Sequence, residues 1–350
     1  MTQLRPTYTL SIGGLRSDTS NPVGGLSALV ADRDMDVPAD ALRLRLQERA
    51  GISVGEAVTL ALGYDGEEET VFTGSVETVR PALSGVVIRA LGTANDLLNL
   101  RTSTTYANQS AGSIARDLID QAGLSAGTVD EGPVLPRYVV DHALSGHRHL
   151  RDLADRLGYE FYTDRDGNLM FHALGPGAGL DALGGTLGAI AGVAAGLAGR
   201  GESYAFGRQL LRAASGLRAV AWGAVEVGGE SPMSRQGDTT EHWLTTNDDD
   251  YRGAAGEGEP TLIVRDPAAR TKDLADRFAA GRLAVAARTA REVSITVFGR
   301  PQVDLGASVA TEAVPDEEIN GSGYVRAIRH RLTYNDGFLT DMRISLEPGT

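Results

Sequence analysis

The residues best suited to acid–base or metal chemistry in this sequence form one cluster of histidines and aspartates. The cluster comprises Asp141, His142, His147, His149 and Asp152, and histidine with carboxylate is a ligand set that zinc and iron accept. If the segment is helical, however, His147 and His149 lie on different sides of the helix. The His-x-x-x-His pair of zinc peptidases, with glutamate second, occurs nowhere in the chain. We therefore interpret these histidines as solvated or capping residues and predict no metal site.

The sequence offers little for other catalytic chemistry. The chain has no cysteine, which excludes disulfides, thiolate nucleophiles and cysteine-ligated zinc. Its single lysine, Lys272, does not close a glycine-rich loop, so the phosphate-binding loop of many nucleotide enzymes is missing. Acidic runs such as Glu67–Glu69 and Asp316–Glu318 occupy turn-like settings, where they are normally hydrated. We predict a non-enzymatic chain with no catalytic, cofactor-binding or metal-binding residue.

The composition indicates a folded, acidic protein. The chain of 350 residues is long enough for more than one hydrophobic core, and its apolar content of 42% argues against disorder. A formal net charge of -13 at pH 7 repels phosphate backbones, so we predict no specific nucleic-acid partner. The segment Met1–Leu10 lacks the apolar core of an export signal, and we expect synthesis and assembly in the cytoplasm.

The first hundred residues alternate between apolar and polar side chains in short runs separated by turn residues. In the clearest run Leu42, Leu44 and Leu46 alternate with Arg43 and Arg45, which gives a strand one apolar face and one cationic face. The cationic face is interpreted as solvated, with a tube lumen or a subunit contact as the alternative. This region predicts an antiparallel β-barrel or sandwich with strands near 8–12, 42–46, 57–62, 71–79 and 86–91.

The periodicity then becomes helical. Ser110 is a candidate N-cap for a helix that ends at Gly123, and Ser145 for a second helix that ends at Gly158. A strand is expected near 137–140 and a hairpin over 159–172. The segment predicts a small α+β domain.

A glycine- and alanine-rich stretch over 175–201 follows, with no charged residue between Asp181 and Arg200. Its length approaches that of a membrane span, but glycine weakens helices and alanine contributes little burial energy. We interpret it as a partly helical insertion packed on its own protein. A lumen-plugging or membrane-contacting segment is the alternative, with the candidate residues Leu183, Leu187, Ile190, Val193 and Leu197.

The remainder predicts a second sheet and the longest helix. Strands are expected over 217–222 and 225–227, followed by an exposed loop through 247–260. A helix over 266–291 should pack across the second sheet through Leu274, Phe278, Leu283 and Ala287. Its arginines, Arg277, Arg282 and Arg288, are expected to face water. The closing strands are predicted over 292–298, 308–313, 323–334 and 337–346, with a turn at 335–337.

The order of these pieces resembles a known family. The segment Ser145–Phe171, a helix that ends in Leu-Gly-Tyr-Glu-Phe and is followed by a hairpin, is similar to the phage late control protein D group. This group includes the hub part of VgrG-type spikes and the hubs of phage tails and contractile injection systems. The helix at 113–123 and the segments 274–283, 301–306 and 323–334 also resemble parts of this family.

The resemblance implies a mainly β protein of the α+β class, with two tail-tube-like antiparallel β-barrels. The expected parts are a first barrel over 1–105, an inserted α+β domain over 106–174, the glycine- and alanine-rich insertion over 175–202, and a second barrel over 203–350 that carries the helix 266–291.

The function that the resemblance implies is structural. Three copies form a baseplate hub that adapts a hexameric inner tail tube to a trimeric spike, which is a separate polypeptide, and that contacts baseplate wedge proteins. The alternatives are a tail-tip cell-wall hydrolase, suggested by the histidine cluster, and a membrane-contacting or cargo-plugging tip component, suggested by 175–201.

Overall fold

The protein is mainly β. The computed structural model describes residues 5–48, 51–173, 201–229 and 251–346. The predictions for the segment 175–200, including its five candidate plug residues, and for 247–250 lie outside the described residues. The described strands are β1 Pro6–Ile12, β2 Leu15–Asp18, β3 Leu26–Asp34, β4 Ala41–Leu46, β5 Ala57–Tyr64, β6 Glu67–Ala82, β7 Gly85–Gly92, β8 Thr104–Ser110, β9 Ala126–Val129, β10 Val134–Val140, β11 Tyr159–Thr163, β12 Leu169–Ala173, β13 Glu202–Ala205, β14 Leu210–Leu217, β15 Ala224–Gly228, β16 Arg252–Gly256, β17 Thr261–Arg265, β18 Arg291–Phe298, β19 Ser308–Glu312, β20 Gly321–Thr333 and β21 Gly337–Leu346. The α-helices are α1 Ala94–Asn99, α2 Ala111–Gln121, α3 Gly146–Leu157 and α4 Lys272–Ala287.

One large sheet joins the two predicted β regions. Its main path runs β14-β18-β21-β20-β3-β4-β7-β6-β5-β1-β2, with β19 and β13 branching from β20. The two regions meet where β3 pairs antiparallel with β20, in a register that places His330 opposite Ala31. The strands of the two predicted barrels therefore belong to one continuous sheet.

Each half of the sheet covers its own hydrophobic core. The first core is built on the alternation predicted for β4, with Leu42 and Leu44 fully buried. The second core lies under the closing strands and includes Val293, Ile344 and Tyr204. Both cores lie on the same side of the sheet, because β3 and β20 alternate in step across their shared register.

The α+β block forms as its capping residues predict. Ser110 accepts a hydrogen bond from the N–H of Ser113, and Ser145 accepts one from the N–H of Arg148, so both helix starts are confirmed. Gly158 ends α3 in the left-handed conformation, with φ of 70°. The predicted hairpin is β11–β12. These elements share a third core with α4 and the small sheet β16-β15-β17.

Three predictions of local structure are corrected. Helix α4 spans Lys272–Ala287 rather than 266–291, because the chain before it turns around the buried side chain of Asp266. The strand expected over 217–222 is instead β14, which ends at Leu217. Part of the expected loop is strand β16, whose Ala255 is buried in the third core.

Candidate functional site: the concave face of the large sheet

The face of the sheet opposite the two cores is concave. Side chains that point to this face from seven neighbouring strands line one groove of about 1140 Å³, which requires the strands to curl around it. Each of the seven strands contributes at least one lining residue: Arg89 from β7, Ala41 from β4, Asp32 from β3, Arg329 from β20, Asp341 from β21, Thr296 from β18 and Arg212 from β14.

The half of the groove nearest the closing strands is self-neutralised. Arg329 forms an ion pair with Asp32 across the β20–β3 seam. Arg331 binds Asp341 at 2.8 Å, and Arg343 binds Asp34 at 2.8 Å. Such half-exposed pairs contribute little stability each, but they leave a polar surface with almost no net charge.

The same face of the sheet is basic beyond the groove, toward β6, and Arg89 joins the two areas. Arg43 and Arg45 on β4, Arg80 on β6 and Arg89 on β7 are all exposed there, and we call these four residues the arginine patch. Among the described residues the one ion pair to the patch joins Arg89 and Glu77 at 3.4 Å. The cationic face predicted for β4 is confirmed, and it lies on the concave side.

Buried ion pairs fasten the α+β block to the sheet just behind this face. Arg326 on β20 is fully buried and binds Glu160 of β11 at 2.8 Å. Glu160 also binds Arg288, which follows α4, at 3.2 Å. Burial lowers the pKa of Arg326, but the neighbouring Glu160, Tyr324 and Asp36 outweigh it and raise that pKa above its ordinary value. Arg326 is therefore permanently charged.

A second buried group forms where the loop after β11 meets the sheet. Arg33 on β3 binds Asp304 at 2.5 Å and donates to the carbonyl oxygen of Thr163 at 2.8 Å. Burial favours the neutral form of Asp304, yet Arg33 and Arg165 hold its pKa below the ordinary value. These contacts fix the α+β block at one end of the strands.

The expectation that Arg282 and Arg288 face water is wrong. Arg282 binds the buried carboxylate of Asp266 at 3.0 Å, together with Arg156, and Arg288 is 8% exposed. Helical periodicity places Arg282 on the polar side of α4, and Arg288 follows the helix directly, but both face charged partners from distant segments.

The histidine cluster does not assemble into a site. His142 is exposed, whereas His147 packs against Phe161 with ring centroids 5.1 Å apart. The Nε2 atom of His149 is hydrogen-bonded to the backbone of Asp141 and lies 2.9 Å from the carbonyl oxygen of that residue. Within the described ranges, no three histidine, aspartate or glutamate side chains are grouped so that they could hold a metal ion.

No nucleophile elbow is formed either. Two Gly-x-Ser-x-Gly runs occur at 51–55 and 123–127. The first precedes β5 and the second leads from α2 into β9, so neither connects a strand to a following helix. No helix in the described part of the chain is long and apolar enough to cross a membrane.

Among the described strands of the sheet that carries the groove, β14, β2 and β13 each lack a partner on one side. Two open edges flank the concave groove: the outer side of β14, and the second half of β6, Glu77–Ala82, which pairs with β7 but extends beyond β5. No described strand pairs with either edge. Open edges of this length usually need a partner.

Comparison with known proteins gives a match of fold. No protein-family model and no curated protein matches the chain. The 43 kDa tail protein of prophage MuSo2 from Shewanella oneidensis superimposes with a TM-score of 0.70 at 17% identity, over 97% of this chain and 98% of that one. The tail protein from Neisseria meningitidis MC58 gives 0.69 at 14% identity, over 99% and 97%.

The chain has the fold of phage tail proteins. The c3393 protein of E. coli, a component of the type VI secretion system with structural similarity to T4 bacteriophage tail proteins, also matches, with a TM-score of 0.56 at 11% identity over 97% of this chain and 77% of that one. The tail-protein fold and the mainly β class expected from the resemblance are thus confirmed.

Proposed function

We propose that this chain is a structural subunit of a baseplate hub, three copies of which form a ring that joins an inner tail tube to a spike. The observation that carries the proposal is the continuous concave sheet, with one hydrophobic core behind each half and an open edge at each end. A ring of head-to-tail copies pairs the open side of β14 in one copy with the open half of β6 in the next.

The strand count favours such a ring. Eight strands run from one open edge to the other, in the order β14-β18-β21-β20-β3-β4-β7-β6, and every neighbouring pair is antiparallel. Because eight is even, β6 and β14 run in opposite directions. The β14 strand of the next copy in a ring then meets β6 antiparallel, and the alternation continues without a break.

The two halves of each chain let three copies present six equivalent positions. The β6–β7 and β20–β21 hairpins point to the same end of the sheet, since β6 and β20 are parallel in direction. Leu83 and Tyr334, in the turns of these hairpins, are among the most exposed large apolar side chains, at 110% and 97%. Three copies would offer six such tips to a six-fold tube, while the α+β block occupies the opposite end for a spike or wedge protein.

This role needs no catalytic site, and we propose that the chain is not an enzyme. The experiment is to mix the purified chain with the tube and spike proteins encoded beside it and to examine the assemblies by negative-stain electron microscopy. Three-fold rings that cap six-fold tubes are expected. A stable monomer that binds neither protein contradicts the proposal.

A matched pair of variants tests the tube-facing end. Leu83→Ser with Tyr334→Ser should abolish capping of the tube and leave the ring intact. Val139→Ser with Ile263→Ser, which removes two exposed apolar residues of 53% and 71% on β10 and β17, should cap tubes normally. Equal capping by both variants contradicts the assignment of the hairpin tips.

A further inference from the structure

The arginine patch is unfavourable for folding. Arg43 and Arg89 lie directly opposite each other on β4 and β7, and like charges at such positions destabilise a sheet. Arg45 and Arg80 lie on either side of Val87. Successive strands are about 4.8 Å apart and alternate residues about 6.7 Å apart, so four guanidinium groups share one small area.

The patch also contrasts with the molecule that carries it. The chain has a formal net charge of -13, and the neighbouring part of the same sheet face is neutralised by ion pairs. Among the described residues no acidic side chain forms an ion pair with Arg43, Arg45 or Arg80. A concentration of positive charge that folding does not use points to an anionic ligand.

The chemistry of the patch favours phosphate over a protein surface. Nearly every basic residue of this chain is arginine, and a cluster of guanidinium groups can bind phosphate oxygens in pairs. Protein interfaces normally have aromatic or apolar anchors at their centre, but the apolar side chains inside the patch, Val30 and Val87, are half-buried. Leu83, the nearest fully exposed one, lies beyond the patch in the hairpin turn.

We propose that the arginine patch contacts the phosphate backbone of duplex DNA passing along the concave face. This rests on the proposed hub ring, in which the concave faces of three copies line one channel. No aromatic side chain lies in the patch to stack on unpaired bases, so the contact is with duplex backbone and is independent of sequence. Short-range, salt-sensitive contacts of this kind guide a polymer without holding it.

The test measures binding of a fluorescein-labelled 24-base-pair duplex by fluorescence anisotropy at several salt concentrations. The wild-type chain is compared with a variant in which Arg43, Arg45, Arg80 and Arg89 are replaced by Gln. The matched control replaces four exposed arginines elsewhere, Arg16, Arg101, Arg137 and Arg208, so that both variants have the same net charge. Circular dichroism confirms that all three are folded.

The patch variant should bind DNA at least about tenfold more weakly, with a salt dependence shallower by about 0.9 for each phosphate that the variant no longer neutralises. The control should stay within about threefold of wild type. Equally weakened binding in both variants, or no binding by wild type at low salt, overturns the inference. A competition assay adds unlabelled duplex or poly-glutamate of equal charge. If poly-glutamate displaces the labelled duplex as effectively as unlabelled duplex does, the inference is overturned in favour of acidic protein cargo.

Light scattering on the same samples separates this inference from the proposed function. A three-copy ring that does not bind DNA contradicts the proposed DNA contact but not the proposed ring. A monomer that still binds DNA through the patch contradicts the ring but not the DNA contact.

Discussion

At the scale of single residues, the side chains of greatest consequence are buried arginines that connect segments far apart in sequence. Arg326 on β20 lies between Glu160 of the α+β block and Asp36 of the β3–β4 loop. Removing one member of a buried ion pair leaves the other charge desolvated, which typically costs about 3–5 kcal/mol. An exposed pair is worth about 0–1 kcal/mol.

Arg326→Ala should therefore lower the free energy of unfolding by several kcal/mol, whereas Arg329→Ala should change it by less than about 1 kcal/mol. The two arginines lie three residues apart on the same strand, one buried and one in a half-exposed pair with Asp32. Urea denaturation followed by circular dichroism measures both. Similar losses of stability in the two variants would show that the buried network does not hold the block to the sheet.

Two buried histidines give the protein a specific acid sensitivity. Burial and the nearby Arg151 and Arg148 lower the pKa of His147 to about 4, and burial with Arg33 lowers the pKa of His330 to about 3. Below the ordinary value near 6.5 the unfolded chain binds a proton at each histidine that the folded chain does not. Stability is therefore lost as pH falls from about 6.5 to about 4.

His147→Phe should reduce this loss by up to about 1.4 kcal/mol per pH unit within that range. The measurement compares urea denaturation of the variant and wild type at pH 7, 6, 5 and 4.5, so that carboxylate effects common to both cancel. His142→Phe, at an exposed histidine, is the control and should follow wild type. An unchanged pH dependence in His147→Phe would mean that His147 is protonated in the folded protein.

At the scale of elements, local signals predicted local structure. The caps at Ser110 and Ser145, the stop at Gly158 and the final hairpin were predicted because each depends on residues a few positions apart. The pairing of β3 with β20 could not be predicted from the sequence, because pairing between strands at opposite ends of a chain leaves no short-range pattern. The arginine patch was half predicted: alternation identified Arg43 and Arg45, but Arg80 and Arg89 join them only through register.

The open edges allow a direct test, since the chain has no cysteine of its own. Thr78 on β6 and Ala214 on β14 both point to the concave face. Two double variants are made: Thr78→Cys with Ala214→Cys, and Arg80→Cys with Ala214→Cys. Both should form disulfides between copies and yield covalent trimers under mild oxidation. Non-reducing electrophoresis measures them. Arg16→Cys on β2, paired with Ala214→Cys, should give none, and equal cross-linking there would contradict the edge assignment.

At the scale of the whole molecule, the proposed ring is built from a mainly β chain whose sheet has one hydrophobic core behind each half, and it would bridge six-fold and three-fold partners. The concave face then becomes a channel, the hairpin tips and the α+β block become its two ends, and the edges become the joints between copies. The tail proteins of prophage MuSo2 and of Neisseria meningitidis MC58 share this fold at 17% and 14% identity.

The most direct measurement is cryo-electron microscopy of the purified chain at micromolar concentration. We expect closed rings of three copies, about 110 kDa from three chains of 36.8 kDa, with the arginine patch facing the central channel. Monomers, open filaments, or rings whose concave faces point outward would contradict the account.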